Sequence, residues 1–200
     1  MNKRRILLIA VLAILASLVV SGTIAYYNMS EIAHNVITTG GVEIDLLEWA
    51  NEEKTEQFPA RGIRNVMPGT SVTKIVEIKN IGEQSAFIRI SLKKRIKLAK
   101  GAEGETDEGL IDLVLNDEDW TYQDGYYYYN QPLDPGQTTT PLLQSVQFKP
   151  EMGNLYQGCT VNVYVVAQAV QTAHNGTSAL EAKGWPADED PAAESEPVGE

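Results

Sequence analysis

Few residues of this chain have side chains suited to nucleophilic or metal-assisted catalysis. The chain contains one cysteine, Cys159, and two histidines, His34 and His174. A catalytic triad needs a histidine within hydrogen-bond reach of the nucleophile, but His174 lies far along the chain from Cys159 and no third member is evident. The sequence contains no His-Glu-x-x-His, Gly-x-Ser-x-Gly or phosphate-binding glycine motif. We therefore expect no catalytic residues and no cofactor, and a protease is the least favoured function.

Carboxylates are concentrated in residues 103–119, where calcium binding is the chemistry to consider. This segment includes Asp107, Glu108 and the run Asp117-Glu118-Asp119. Calcium takes about six to eight oxygen ligands that a turn holds in place, and the spacing here matches no EF-hand loop. The sequence favours a solvated acidic loop without a metal, and weak calcium binding stays open.

A run of four tyrosines is the third chemically distinctive feature. It follows Asp124-Gly125, a dipeptide typical of a two-residue hairpin turn because it tolerates positive φ angles. Successive side chains of a strand point to opposite faces, so we expect two tyrosines to face the core and two to face solvent or a partner. Tyrosine offers large contact area at a low entropy cost. The candidate adhesive surface therefore comprises Tyr126, Tyr127, Tyr128 and Tyr129.

Alternating apolar and polar residues predict the strands that would position these groups. The basic continuation at 94–100 is predicted to be a solvated edge, and 110–115 is either a short helix or another strand. The segment 161–167 is the most β-prone and is predicted to be a central strand. Seven or eight short strands predict an all-β fold, a jelly-roll or immunoglobulin-like β-sandwich over residues 41–176. The predicted strands are 42–46, 72–79, 86–93, 120–123, 126–129, 138–148 and 161–170.

Residues 1–25 have the parts of a secretory signal peptide. A cationic head at residues 3–5 precedes fifteen uncharged, mostly apolar residues at 6–20. Small side chains then fit the pockets of a signal peptidase, and the predicted cleavage site comprises Thr23, Ala25 and Tyr26. The alternative is an uncleaved membrane anchor, which needs roughly 20 apolar residues. Both interpretations export residues 26–200 by the general secretory route to the cell surface or the extracellular space, with a membrane contact only if the anchor is retained.

Charge and cysteine content restrict the partners of the exported part. The chain has a net charge of −11, and removal of the three cations of the head leaves −14 in residues 26–200. Such an acidic surface opposes binding to nucleic acid. The single Cys159 allows no intramolecular disulfide, which fits a Gram-positive-type wall space, and a buried, inert thiol is favoured for it. Residues 177–200 are acidic and contain prolines, so they are predicted to be a disordered tail.

Three ordered motifs carry a resemblance to a known family. The first is the signal ending Gly22–Tyr27 followed by the run His34–Ile44, and the second is Val66–Val72 leading into Val76–Gly82. The third is Asn154–Gly158 running into the late strand Val163–Gln171. Together these motifs span most of the exported part, which resembles the TasA/camelysin (CalY) family of exported proteins of Gram-positive bacteria.

The resemblance implies a jelly-roll-like sandwich, a signal removed by a dedicated ER-type (SipW-like) peptidase, and a structural role in biofilm-matrix fibres. In fibre-forming members the released N-terminal segment is a donor strand that inserts into a groove of the next subunit. The matching segment here is 26–40, with Tyr27, Ile32 and Val36 as anchors. The alternatives are a flexible leader or a first strand packed in cis. Camelysin has been described as a protease, but no recognisable site supports that activity here.

We therefore predict an exported structural subunit of extracellular biofilm-matrix or cell-surface fibres. The expected partners are further copies of the chain in a head-to-tail polymer, the signal peptidase during export, and other matrix proteins. The alternative is a surface adhesin or ligand-binding module that uses the tyrosine hairpin.

Overall fold

The computed structural model describes residues 35–38 and 41–187. Within these residues, two short 3-10 helices, Glu108–Leu110 and Asn154–Tyr156, accompany strands, turns and irregular segments. The described strands are β1 (Asn35–Thr38), β2 (Ile44–Trp49), β3 (Ile63–Arg64), β4 (Ser71–Asn80), β5 (Ala86–Lys97), β6 (Ile111–Leu115), β7 (Trp120–Gln123), β8 (Tyr126–Tyr129), β9 (Leu143–Phe148) and β10 (Thr160–Gln171).

The strands form two sheets. Sheet A has the order β1-β10-β5-β8-β7, and β3 also pairs with β10, whereas sheet B has the order β2-β4-β9-β6. The pairing of β1 with β10 is parallel, and the other strand pairs are antiparallel. The all-β prediction is confirmed.

The core lies between the inner faces of the two sheets. Its members follow the period-two alternation of strands, as the alternate residues Ala86, Ile88 and Ile90 of β5 and Val165, Ala167 and Ala169 of β10 show. Trp120 is the largest fully buried side chain; its ring lies 4.9 Å from that of Tyr129, and its Nε1 donates a hydrogen bond to the carbonyl of Thr140. Other core residues include Ile44, Leu46, Val76, Ile78, Ile88, Ile90, Ile111, Val146, Phe148, Val161, Ala167 and Ala169.

The tyrosine hairpin forms as the sequence predicts. Strands β7 and β8 pair in register from Trp120 opposite Tyr129 to Gln123 opposite Tyr126. The turn residues Asp124 and Gly125 have φ angles of 51° and 88°. Both angles lie in the left-handed region that a two-residue hairpin loop requires.

Several strand bounds differ from the predictions. The basic stretch after residue 93 continues β5 to Lys97 and pairs with β10 along its length, so on that side it is not an edge. Leu110 is the last residue of a 3-10 helix, and Ile111–Leu115 form strand β6. Of the two alternatives for residues 110–115, the strand is therefore the one observed. Strand β9 begins at Leu143 instead of 138, and Pro141 in the preceding segment has no N–H to donate to a ladder. Strand β3 is absent from the sequence predictions.

Residues 172–187, which we call the C-terminal strap, pack against sheet A. Part of this strap was predicted to belong to the disordered tail. Ala179 and Ala182 are buried in a small cluster on the outer face of sheet A, and Trp185 packs against the same cluster. Asn175 holds the strap's loop closed, because its side chain donates to the carbonyls of Gln171 and Lys183 and accepts from the Lys183 N–H. The tail prediction for residues 177–187 is therefore wrong; the remainder, 188–200, lies outside the described residues.

Candidate functional site

Strand β1 is the described part of the segment predicted to be a donor strand. It pairs in parallel with β10, with Val36 opposite Ala167 and Thr38 opposite Ala169. Its sequence, Asn-Val-Ile-Thr, contains three β-branched residues, which favour extended backbone. Val36 is half-buried and packs against the main core. In the single chain this strand is therefore packed in cis, which is one of the alternatives that the sequence left open.

Most of the other N-terminal predictions cannot be placed. The cleavage residues Thr23, Ala25 and Tyr26 and the anchors Tyr27 and Ile32 lie outside the described residues. Val36 is the one predicted anchor that the structure places, and it lies at the edge of sheet A.

Two short strands, β1 and β3, pair with different stretches of the same side of strand β10. Because β5 pairs with one side of β10 from Thr160 to Gln171, the other side receives both β1 and β3. Strand β1 pairs with Val166–Ala169, and β3 pairs with Thr160–Val161. The edge that holds the N-terminal strand thus continues towards β3.

The four tyrosines divide between the two faces of sheet A. Tyr127 and Tyr129 face the main core, whereas Tyr126 and Tyr128 belong to the outer cluster beneath the strap. Tyr128 and Tyr129 are buried, and Tyr126 and Tyr127 are half-buried. The outward pair therefore packs against this chain's own strap.

Arg89 is the centre of the outer cluster. Its guanidinium carbon lies 3.7 Å from the centre of the Tyr126 ring and 4.7 Å from that of Trp185. The guanidinium donates hydrogen bonds to Gln168 Oε1, Tyr128 Oη and the carbonyl of Pro186. Arginine suits this position because its planar group stacks on rings while its five N–H donors bind in the plane. The cluster fastens the strap to sheet A.

Tyr122 is the exposed ring of the hairpin. Its exposed fraction is 62%, and its ring lies 4.8 Å from that of the half-buried Tyr127. Burial, with a smaller contribution from Tyr122, raises the pKa of Tyr127. Of the hairpin's tyrosines, Tyr122 is the one that presents most of its surface to solvent.

The geometry separates Cys159 from His174. Cys159 is fully buried just before β10 begins, and His174 is exposed just after β10 ends. A 12-residue strand spans about 40 Å at roughly 3.3 Å per residue, so these two residues cannot form a dyad. Burial raises the pKa of the Cys159 thiol, which opposes formation of the nucleophilic thiolate. His34 lies outside the described residues.

The acidic segment 103–119 uses its carboxylates in separate local contacts. Asp107 accepts from the Gly109 N–H, and Glu108 pairs with Arg95 at 3.1 Å. Asp119 accepts from the side chain of Asn116, and hydrogen bonds from Asn116 and Thr140 lower its pKa. Within residues 41–187 and β1, no three histidine, cysteine or carboxylate side chains come together as a metal site.

A buried ion pair lies at one end of the core, and sequence reasoning missed it. Lys74 is 2% exposed; its Nζ pairs with Glu48 and lies 3.9 Å from the centre of the Phe58 ring. Burial lowers the pKa of Lys74, and the charge and hydrogen bond of Glu48 partly oppose that shift. In the sequence, Lys74 occupies the alternate position between Val72 and Val76, and this was the available signal.

The fold defines an all-β protein built from two sheets. Comparisons with known proteins found no matching family model, no matching curated protein and no matching solved structure. None of the helices among the described residues is long and apolar enough to cross a bilayer.

Proposed function

We propose that this protein is an exported structural subunit of extracellular fibres, in a biofilm matrix or on the cell surface, and that its copies join by strand addition. The N-terminal segment of one copy would leave its own sheet A and occupy the corresponding edge of the next copy. We also propose that the chain is related to TasA and camelysin. Its two sheets would then form a jelly-roll or immunoglobulin-like sandwich, and its signal peptide would be removed during export.

The observation that carries the proposal is the placement of β1. This strand precedes the rest of the described fold in sequence, and β10 is its one partner among the described strands, in parallel over four residues. Main-chain hydrogen bonds to one neighbour and the packing of Val36 hold it. A strand held in this way can be exchanged for the same segment of another copy, because the contacts in the two arrangements are equivalent.

The register of β1 supports the proposal for two of the three predicted anchors. Val36 lies opposite Ala167, and continuation of that register by four residues would set Ile32 opposite Val163. Both positions of β10 face the core. Since side chains four residues apart on a strand share a face, Ile32 and Val36 would fill neighbouring sites of a receiving subunit.

Head-to-tail exchange gives a polymer without further contacts. Each subunit would donate one strand and receive one, and a heterologous contact that does not close on itself produces filaments. The net charge of −14 in residues 26–200 would keep subunits soluble until strands exchange. Other matrix proteins could enter by the same edge.

The test compares filament formation by residues 26–200 and by the same chain carrying Val36→Asp. A carboxylate at this half-buried position would have to lose its hydration against the core, so we expect loss of filaments in electron micrographs and of high-mass light scattering. Ser71→Asp adds the same charge at an exposed position and should leave filaments unchanged. Filaments of normal length from Val36→Asp would contradict the proposal.

A second candidate function is a surface adhesin that uses the tyrosine hairpin. Tyr122 favours it, because this ring is 62% exposed at the free edge strand of sheet A. Tyr122→Ala should then abolish adhesion to cells or carbohydrate, whereas Met67→Ala, which trims another exposed apolar side chain (64% exposed), should not. Equal adhesion by the two variants would exclude this function.

A further inference from the structure

The hairpin of β7 and β8 brings two tyrosine rings into contact. Tyr122 of β7 lies directly opposite Tyr127 of β8, and the centres of their rings are 4.8 Å apart, with an angle of 45° between the ring planes. Directly opposite residues of an antiparallel pair share one face of the sheet, and their Cβ atoms lie about 4.5–5.5 Å apart. The two-residue turn at Asp124 and Gly125 fixes this register, so the fold itself holds the two phenols together.

The two rings differ in their access to solvent. Tyr122 is 62% exposed and lies on β7, which is the last strand in the order of sheet A among the described residues. Tyr127 is half-buried and packs against the main core. A dissolved oxidant can therefore reach the ring of Tyr122 directly, whereas Tyr127 is shielded on the side of the core and is held in ring contact with Tyr122.

A second tyrosine pair on the same hairpin is less suited to oxidation. The rings of Tyr126 and Tyr128 lie 6.3 Å apart, and Tyr128 is 8% exposed in the outer cluster beneath the C-terminal strap. The guanidinium carbon of Arg89 lies 3.7 Å from the centre of the Tyr126 ring, and a positive charge so close opposes removal of an electron from that ring. Distance, access and charge therefore all favour the pair of Tyr122 and Tyr127.

We propose that Tyr122 and Tyr127 form a site of oxidative cross-linking, at which a peroxide and a peroxidase join the two rings as dityrosine. The bond would fasten β7 covalently to β8. An edge strand is the part of a sheet that most readily pairs with another chain, so the cross-link would protect this edge of sheet A. The inference goes beyond strand exchange and does not depend on it, because β7 and β1 lie at opposite ends of the sheet order.

The cross-link balances as two one-electron oxidations. The first removes an electron and the phenolic proton from Tyr122. Tyr127 then gives its phenolic hydrogen atom to Tyr122, and a second oxidation of Tyr122 places two radicals in contact. A bond forms between ring carbons next to the hydroxyl groups, and the hydrogens of these two carbons move to the phenolic oxygens. The pair loses two hydrogen atoms in total, and the same two electrons and two protons reduce one molecule of hydrogen peroxide to two molecules of water.

Oxidation of residues 26–200 at high dilution with hydrogen peroxide and a haem peroxidase tests the proposal. Cleavage before aspartate separates residues 119–123 from 124–133 in the unmodified chain, because Asp124 lies between the two tyrosines. After oxidation we expect these two peptides to be joined, with a summed mass lower by two hydrogen atoms, and to show the fluorescence of dityrosine. Because the two rings are already in place, the yield per molecule should not change on further dilution.

Variants of the same chain separate this pair from the other tyrosines. Tyr122→Phe and Tyr127→Phe each keep the ring but remove the phenol, and each should lower the yield of the joined peptides by roughly tenfold or more. Tyr126→Phe, on the same hairpin, is the matched control and should leave the yield unchanged.

Three results would overturn the proposal. One is oxidised wild type in which residues 119–123 and 124–133 still separate, and another is a full yield of joined peptides from Tyr122→Phe. The third is cross-linking mainly between isotope-labelled and unlabelled copies, because the bond would then join two molecules instead of the two strands of one hairpin.

Discussion

Val36 lies opposite Ala167 in a parallel strand pair at the edge of sheet A. The two residues are separated by most of the described sequence, so the pairing ties the N-terminal segment to a strand near the other end of the fold. Parallel neighbours need a long connection, and here the rest of the fold provides it. Exchange of this strand between copies would preserve the pairing while linking one molecule to the next.

Breaking the buried ion pair should destabilise the fold. Glu48→Gln leaves the ammonium of Lys74 at a position where its side chain is 3% exposed, and removal of one partner of a buried pair costs about 3 kcal/mol. Urea unfolding at neutral pH measures the change. Asp112→Asn breaks an exposed pair and should cost less than about 0.5 kcal/mol. Equal effects of the two variants would show that burial of Lys74 does not matter energetically.

The hairpin and the strap show what the sequence could and could not predict. The Asp124-Gly125 turn depends on backbone angles that two adjacent residues allow, and β10 follows from a local run of β-branched residues. The strap buries two small alanines and packs a half-buried tryptophan against the same cluster, without any periodic pattern. Its hydrogen bond from Arg89 to the Pro186 carbonyl joins residues 97 positions apart, and no local signal specifies such a contact.

The site formed by β1 and β10 was also predictable only in part from the sequence. The β-branched residues after His34 predict an extended segment, and Val36 is among the anchors that the resemblance implied. The parallel register with β10 was not predictable, because a strand of four residues has too few side chains to select a partner by pattern. The inward position of Tyr127 and Tyr129 follows from alternation once the neighbouring Trp120 faces the core.

The stability of the wild type should depend on pH through Lys74. Burial holds the pKa of Lys74 below the 10.5 of the unfolded chain, so between these two values the unfolded chain binds a proton that the folded chain does not. The contribution of Lys74 to stability therefore rises as the pH increases through this alkaline window. The quantity to measure is the unfolding free energy of the wild type minus that of Lys74→Met, and this difference should increase towards pH 10.5. The same difference for Lys79→Met, at an exposed lysine, should not show this increase and serves as the control. A difference that falls with pH would have the wrong sign.

Trp185 should anchor the strap. Trp185→Ala removes a ring 4.7 Å from the Arg89 guanidinium and 5.9 Å from the Tyr128 ring, and loss of such contacts costs about 1–2 kcal/mol. Trypsin should then cleave faster after Lys183, an exposed strap residue. Leu180→Ala trims a side chain of the same strap that is 42% exposed, and its cleavage rate should match the wild type. Identical rates for all three proteins would mean that Trp185 does not hold the strap.

Cys159 should be unreactive in the folded protein. Its side chain is fully buried, and burial raises the pKa of its thiol, so both access and thiolate formation are opposed. We expect no alkylation by iodoacetamide in native buffer and complete alkylation in denaturant, measured by intact mass. Rapid alkylation of the native protein would show that this end of β10 opens.

Disulfide trapping of the strand exchange tests the proposed function most directly. Val36→Cys and Ala167→Cys, combined with Cys159→Ala, place thiols on facing positions of β1 and β10, where a disulfide can form. Filaments assembled under reducing conditions and then oxidised should give a ladder of covalent multimers on a non-reducing denaturing gel, whereas Val36→Cys without the cysteine at 167 should give none beyond dimers. Monomer alone from oxidised filaments would contradict the exchange of β1 between copies.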